Sequence, residues 1–168
     1  MTHDQRPHGR EDRHFTRRGI LARRAVWKLS PGVDFPGMAL IHTCYRITDI
    51  DRSVAFYEAL GFQEVGRIPI REEAVNVFMN QPGDGDMPRL ELTYNFGVDS
   101  YELGTAYGHI AITAEDLDGT LARLSEQGIE PEKPPYSVRE GGSRLCFVRD
   151  PDGYRIEIIE KPTVEQTR

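Results

Sequence analysis

A chain of 168 residues with 38% hydrophobic and 29% charged side chains is long enough to bury a core and ordinary for a globular protein. No apolar run approaches the ~18 residues of a membrane span. The net charge of −6 is unevenly placed: residues 1–37 carry eight Lys/Arg against four Asp/Glu, and the rest carries 13 against 23. So acidic a body argues against a nucleic-acid partner.

The two cysteines, Cys44 and Cys146, have neither metal-finger nor disulfide-framework spacing. Their scarcity fits a reducing compartment, and a cytoplasmic location is expected. The basic stretch 1–37 lacks the apolar core of a secretory signal. It holds a twin arginine, Arg17-Arg18, but Ala22, Arg23 and Arg24 interrupt the place where an export signal turns apolar. A disordered leader, or an overlong start with Met38 as the true first residue, is the expectation.

Beyond Met38 the elements come in a repeated order. Residues 39–47 alternate apolar and polar side chains with β-branched members, which predicts a strand. A helix follows, capped by Asp51, with Val54, Tyr57 and Leu60 on its core face and Gly61 at its end. Strands are predicted at about 62–70, 74–80 and 88–95, the last two separated by the turn sequence 81–86. After a short connector, 96–106, the order begins again. A strand is predicted at 107–114, then a helix capped by Asp118, with Leu117, Leu121 and Leu124 inward and Gly128 at its end. Strands at about 130–137, 143–149 and 153–160 complete the unit, with the turn Asp150–Gly153 between the last two. Residues 161–168 read as a tail.

The two units align without a gap. His42, Asp49, Asp51, Ser53, Ala55 and Gly61 stand 67 residues before His109, Asp116, Asp118, Thr120, Ala122 and Gly128. The reading is an α+β protein of two tandem βαβββ modules, about 38–95 and 107–160.

Two histidines and two glutamates occupy matched places in these modules. His42 and His109 belong to the first predicted strand of each, Glu91 and Glu157 to the last. Thr93 and Asn95 share the Glu91 face, and Cys44 and Arg46 share the His42 face. A single His or Glu on a strand is ordinarily a surface or core residue. Four related by one repeat form a chemically sensible set for a divalent cation, with water completing an octahedral or near-octahedral shell of Ni²⁺, Co²⁺ or Zn²⁺.

The pair His42-Thr43 and the segments 91–99 (ELTYNFGVD), 101–111 (YELGTAYGHIA) and 150–157 (DPDGYRIE) closely resemble the bacterial glyoxalase I family of the vicinal-oxygen-chelate superfamily, over about 38–160. The resemblance implies the glyoxalase/bleomycin-resistance/dioxygenase-like fold and a homodimer with active sites at the interface. It also implies isomerisation of the hemithioacetal of methylglyoxal and glutathione to S-D-lactoylglutathione. Metal ligation falls on His42, Glu91, His109 and Glu157, with Ni²⁺ or Co²⁺ favoured because His stands at 42, and Zn²⁺ as an alternative. Glu157 matches the proton donor and acceptor, with Glu91 as a candidate second base. Asn95, His109 and Arg46 match substrate-binding positions, Arg46 towards the glutathione carboxylate.

One departure concerns the thiol. Glu140 stands where relatives carry a lysine before Gly141-Gly142, so either Arg139 beside it supplies the cation or the thiol is not glutathione. General chemistry agrees with the rest. Removing the proton from the carbon between sulfur and carbonyl calls for an electrophile at the two vicinal oxygens and a carboxylate base beside it. Within the fold, the rivals are an iron dioxygenase and a thiol transferase, each with three protein ligands. Outside catalysis, the rival is a metal-free binding protein, which has no use for all four.

Overall fold

The computed structural model of the protein describes residues 40–162. The leader 1–37, the alternative start at Met38 and most of the tail lie outside the described residues. Strand β1 (Thr43–Ile47) leads through helix α1 (Ile50–Ala59) to β2 (Gln63–Ile70), β3 (Ala74–Asn80) and β4 (Leu90–Asn95). The order then repeats as β5 (Ile110–Ala114), α2 (Leu117–Ser125), β6 (Tyr136–Ser137), β7 (Arg144–Arg149) and β8 (Arg155–Glu160). Each half makes its own four-stranded sheet, β1-β4-β3-β2 and β5-β8-β7-β6. In each, the first and last strands pair in parallel and the remaining neighbours antiparallel. This is the expected α+β architecture of two βαβββ modules. None of the described helices is long and apolar enough to cross a membrane.

The helix boundaries follow local chemistry. The N-caps are Asp49 and Asp116, whose carboxylates accept from Arg52 N and Gly119 N, each at 2.9 Å. The caps therefore sit two residues before the expected Asp51 and Asp118, which fall in the first turn, where negative charge meets the positive end of the helix dipole. Both helices close as predicted on a left-handed glycine, Gly61 at φ 87° and Gly128 at φ 75°. Gly61 N donates to Glu58 O and Phe62 N to Tyr57 O; Gly128 N and Ile129 N repeat the pattern on Ser125 O and Leu124 O.

Three predicted strands come out clearly shorter. The segment 130–137 narrows to Tyr136–Ser137, because Pro131, Pro134 and Pro135 lack the N–H a ladder needs. The strands expected from 39 and 107 begin at Thr43 and Ile110, so His42 and His109 stand immediately before β1 and β5 instead of within them. Their partner strands set this limit: β4 starts at Leu90, just after Pro88, and β8 starts just after the Asp150–Gly153 turn.

On the core side of the first sheet, Tyr45, Ile47, Val75, Val77, Met79, Leu90 and Leu92 are all buried, and Phe56, Tyr57 and Leu60 of α1 pack into the same core. The second sheet contributes Cys146, Val148, Ile156 and Ile158 against Leu117 and Leu124. Alternation then assigns Cys44, Phe78, Asn76, Glu91 and Thr93 to the opposite face of the first sheet.

The modules are joined by a polar and aromatic seam. Tyr45 of β1 stacks on Tyr154, with ring centroids 4.2 Å apart, and Tyr107 meets both rings edge-on while its hydroxyl bonds that of Tyr45. The Asp150–Gly153 turn reaches across into the first module. Asp152 accepts from Thr48 Oγ1 at 2.6 Å and from Thr48 N, and Asp150 accepts from Tyr57 OH at 2.9 Å.

Candidate metal centre

Each module brings its own histidine to its own glutamate. His42 Nε2 lies 2.8 Å from Glu91 Oε2, and His109 Nε2 lies 3.0 Å from Glu157 Oε2. The same atoms meet in both cases, because the same parallel pairing of first and last strands positions them: Cys44 lies opposite Glu91 and Ala111 opposite Glu157. Both glutamate side chains are 15% exposed, and the histidines remain open to solvent on one side, at 30% and 37%. An aromatic ring backs each pair. Phe78 of β3, opposite Glu91, and Phe147 of β7, opposite Glu157, present T-shaped contacts to His42 and His109 at 5.7 and 5.2 Å.

The donor set fits a divalent cation. Nitrogen and carboxylate oxygen are the atoms such a cation takes at ~2.0–2.2 Å. At 2.8 and 3.0 Å the two atoms of each pair stand at N–H···O hydrogen-bond distance, close enough for both to be offered to one cation. His42 Nδ1 is buried without a protein partner, so Nε2 is the ring atom through which this histidine acts.

The four residues do not gather within one chain. Among the described residues, no group of three or more His, Cys, Asp or Glu side chains is placed to hold a metal ion. What one chain provides is two separate His–Glu pairs.

The surroundings of the two carboxylates differ. Glu91 Oε1 accepts from Asn76 Nδ2 at 2.9 Å and from Thr93 Oγ1 at 3.0 Å, and Cys44 Sγ lies 3.5 Å from it and 3.3 Å from Thr93 Oγ1. Burial pushes the Cys44 thiol above its ordinary pKa, against the opposing bond from Thr93, which keeps it a donor. Among the described residues, Glu157 has only His109 as a hydrogen-bonding or charged partner.

The other expected residues are more scattered. Asn95 ends β4 on the Glu91 face and donates to Tyr101 OH at 2.8 Å. Arg46 is exposed on β1, one alternation beyond Cys44, and its side chain has no ion pair among the described residues. Arg139 sits in the loop between β6 and β7, where its carbonyl accepts from Gly142 N. No hydrogen bond or ion pair links it to Arg46, Asn95 or either His–Glu pair among the described residues. Sequence reasoning missed Asn76, Phe78 and Phe147. The signal for Asn76 was present, as an amide inside the otherwise apolar run of β3.

Known proteins agree with this architecture. The model of the Glyoxalase/Bleomycin resistance protein/Dioxygenase superfamily matches residues 39–158. The chain is 38% identical over 130 residues to a lactoylglutathione lyase of Haemophilus influenzae, covering 76% of this chain and 96% of that one. It is 38% identical over 128 residues to a lactoylglutathione lyase of Arabidopsis thaliana, covering 74% of this chain but 45% of the relative, so it spans about half the length of that plant protein. Among solved structures, the trypanothione-dependent glyoxalase I of Leishmania major superposes with a TM-score of 0.62 at 36% identity, covering 73% of this chain and 86% of that one. With the family's fold, its tandem modules and its matched length all present, the chain belongs to the glyoxalase/bleomycin resistance protein/dioxygenase superfamily.

Proposed function

We propose that the protein is a metal-dependent lactoylglutathione lyase (glyoxalase I), which isomerises the hemithioacetal of methylglyoxal and glutathione to S-D-lactoylglutathione. The observation that carries this reading is the pair of repeat-related His–Glu contacts, His42–Glu91 and His109–Glu157, each backed by a phenylalanine. The similarity to relatives named lactoylglutathione lyase, one of them matched over nearly its whole length, supports it.

In this reading His42, Glu91, His109 and Glu157 would hold one divalent cation, with Ni²⁺ or Co²⁺ favoured by the histidine at position 42 and Zn²⁺ as the alternative. When bound, the cation draws charge from the two neighbouring oxygens of the substrate. Glu157 takes the proton from the carbon that bears sulfur and returns it to the adjacent carbon, so bonds and electrons balance without any oxidant or reductant. With His109 as its one side-chain partner among the described residues, its carboxylate has an oxygen to spare for this. Asn95 and Arg46, both beside the Glu91 half-site, orient the thiol portion. Because one chain provides two half-sites, the working unit is a homodimer, acting on a small molecule in the cytoplasm.

A second reading concerns the thiol alone. With Glu140 exposed beside Arg139, either Arg139 supplies the cation for the glutathione carboxylate or the co-substrate is a different thiol. The test of both is thioester formation by the full chain, loaded with Ni²⁺, Co²⁺ or Zn²⁺, from methylglyoxal and each of several thiols. Turnover with glutathione is expected. Absence of turnover with every thiol and metal would overturn the assignment.

A further inference from the structure

The two half-sites arise from one repeated module, yet they differ at three register positions around the glutamate. Beside Glu91 stand Cys44 on β1, Thr93 two residues further along β4, and Asn76 on β3 opposite Thr93. The same positions around Glu157 hold Ala111 on β5, Ile159 on β8 and Leu145 on β7. Every polar side chain of the first set bonds Glu91 or its neighbour, and no side chain of the second set can donate a hydrogen bond.

The donors can be counted. Thr93 has one hydroxyl proton, and at 3.0 Å it goes to Glu91 Oε1. Asn76 gives a second bond from its amide nitrogen. Its orientation is fixed by charge, since the alternative would set Oδ1 against a carboxylate. Cys44 has one proton to share between Thr93 and Glu91. All of these converge on Oε1, while Oε2 faces His42. One oxygen is thereby anchored to the sheet and the other is presented beside the imidazole.

We infer that Asn76 and Thr93, assisted by Cys44, are positioning residues that fix Glu91 as a stationary metal ligand, and that their apolar counterparts around Glu157 leave that carboxylate mobile. This rests on the reading of Glu91 as a ligand. Loss of the outer partners of a ligating group weakens metal binding by about 10- to 100-fold. Loss of packing partners alone carries no such penalty.

The experiment measures Co²⁺ affinity of the full-length protein by competition with a chromophoric chelator, alongside the melting temperature of each metal-free variant. Thr93→Val, nearly isosteric, and Asn76→Leu are each expected to bind Co²⁺ about 10-fold more weakly, and the double variant up to about 100-fold. Thr93→Ser, which keeps the hydroxyl, is expected to stay within about 3-fold of the parent, as is Ile159→Val at the matching place beside Glu157. Glu91→Ala is the control. If it binds Co²⁺ as the parent does, Glu91 is not a ligand and the inference falls with that reading. If Glu91→Ala is weakened while folded Thr93→Val binds normally, the ligand reading stands and the positioning inference is overturned.

Discussion

A glutamate on a strand usually sends its carboxylate into water, and Glu91 and Glu157 depart from that in opposite ways. Glu91 spends one oxygen on Asn76 and Thr93, whereas Glu157 has His109 as its one side-chain partner among the described residues, the nearby Arg155 being paired with Glu132. A carboxylate with a spare oxygen and no competing donors suits repeated protonation and deprotonation, provided the reacting carbon lies within reach. Glu157→Gln keeps the size and one oxygen but removes the base. Turnover is expected to fall by about 10²–10⁴-fold while Co²⁺ still binds, measured by metal analysis and single-turnover rates on the same preparation. A variant that lost metal and activity in proportion would assign Glu157 to holding the cation alone. The sequence pointed to both glutamates by their matched places in the last predicted strand of each module, 49 residues after His42 and 48 after His109. It left their difference hidden, because Asn76 bonds Glu91 across a strand pair whose register becomes visible only once β3 and β4 are aligned.

The modules were legible as elements because each carries its own punctuation. An acidic cap, an apolar helical face and a left-handed glycine occur twice at one spacing, and both helices end on the glycine expected. The caps slipped from Asp51 and Asp118 to Asp49 and Asp116, since either aspartate of each pair can cap and only the chain's exit from the strand decides. The strand expected at 130–137 was overdrawn. Pro131, Pro134 and Pro135 interrupt the ladder, so pairing with β7 is reduced to Tyr136–Ser137 and an isolated bond from Glu132 N to Phe147 O. The helix ends offer a direct check. At Gly61, φ is 87° and an added methyl would meet open space, so Gly61→Ala tests backbone conformation without a clash. It is expected to cost about 1–2 kcal/mol of stability, read from urea midpoints. Gly83→Ala, likewise in open space but without a positive φ, should be close to neutral. Equal effects at the two positions would mean that the left-handed turn does not control the end of α1.

At the scale of the whole molecule, the Asp150–Gly153 turn fastens one module to the other, and the proposed site calls for a second copy. Burial holds the Asp150 carboxyl up at about 6, against the lowering effect of its bonds from Tyr57 and from the amides of Tyr154 and Asp152. The folded chain therefore keeps this proton more tightly than the unfolded chain does. Stability present below about pH 4 is lost as pH rises through about 6, by about 3 kcal/mol for this group. Asp150→Asn retains the acceptor towards both amides and does not titrate. Its stability relative to the parent should rise by that amount between pH 4 and 7, and parallel urea profiles would disprove it. The second copy is tested by complementation. Each chain offers His42–Glu91 and His109–Glu157 as separate pairs, so a complete set of four requires two modules to face one another. A two-fold axis that sets the first module of one protomer against the second of its partner creates two equivalent sites. Glu91→Ala and Glu157→Ala proteins should each be inactive as pure dimers. Unfolded together in equal amounts and refolded, about half the dimers will be mixed. In each mixed dimer, one site combines the intact Glu91 of one chain with the intact Glu157 of the other, while the second site lacks both. About a quarter of parental activity should then return. A site closed within a single chain would restore none, because every chain in the mixture lacks one of the two glutamates.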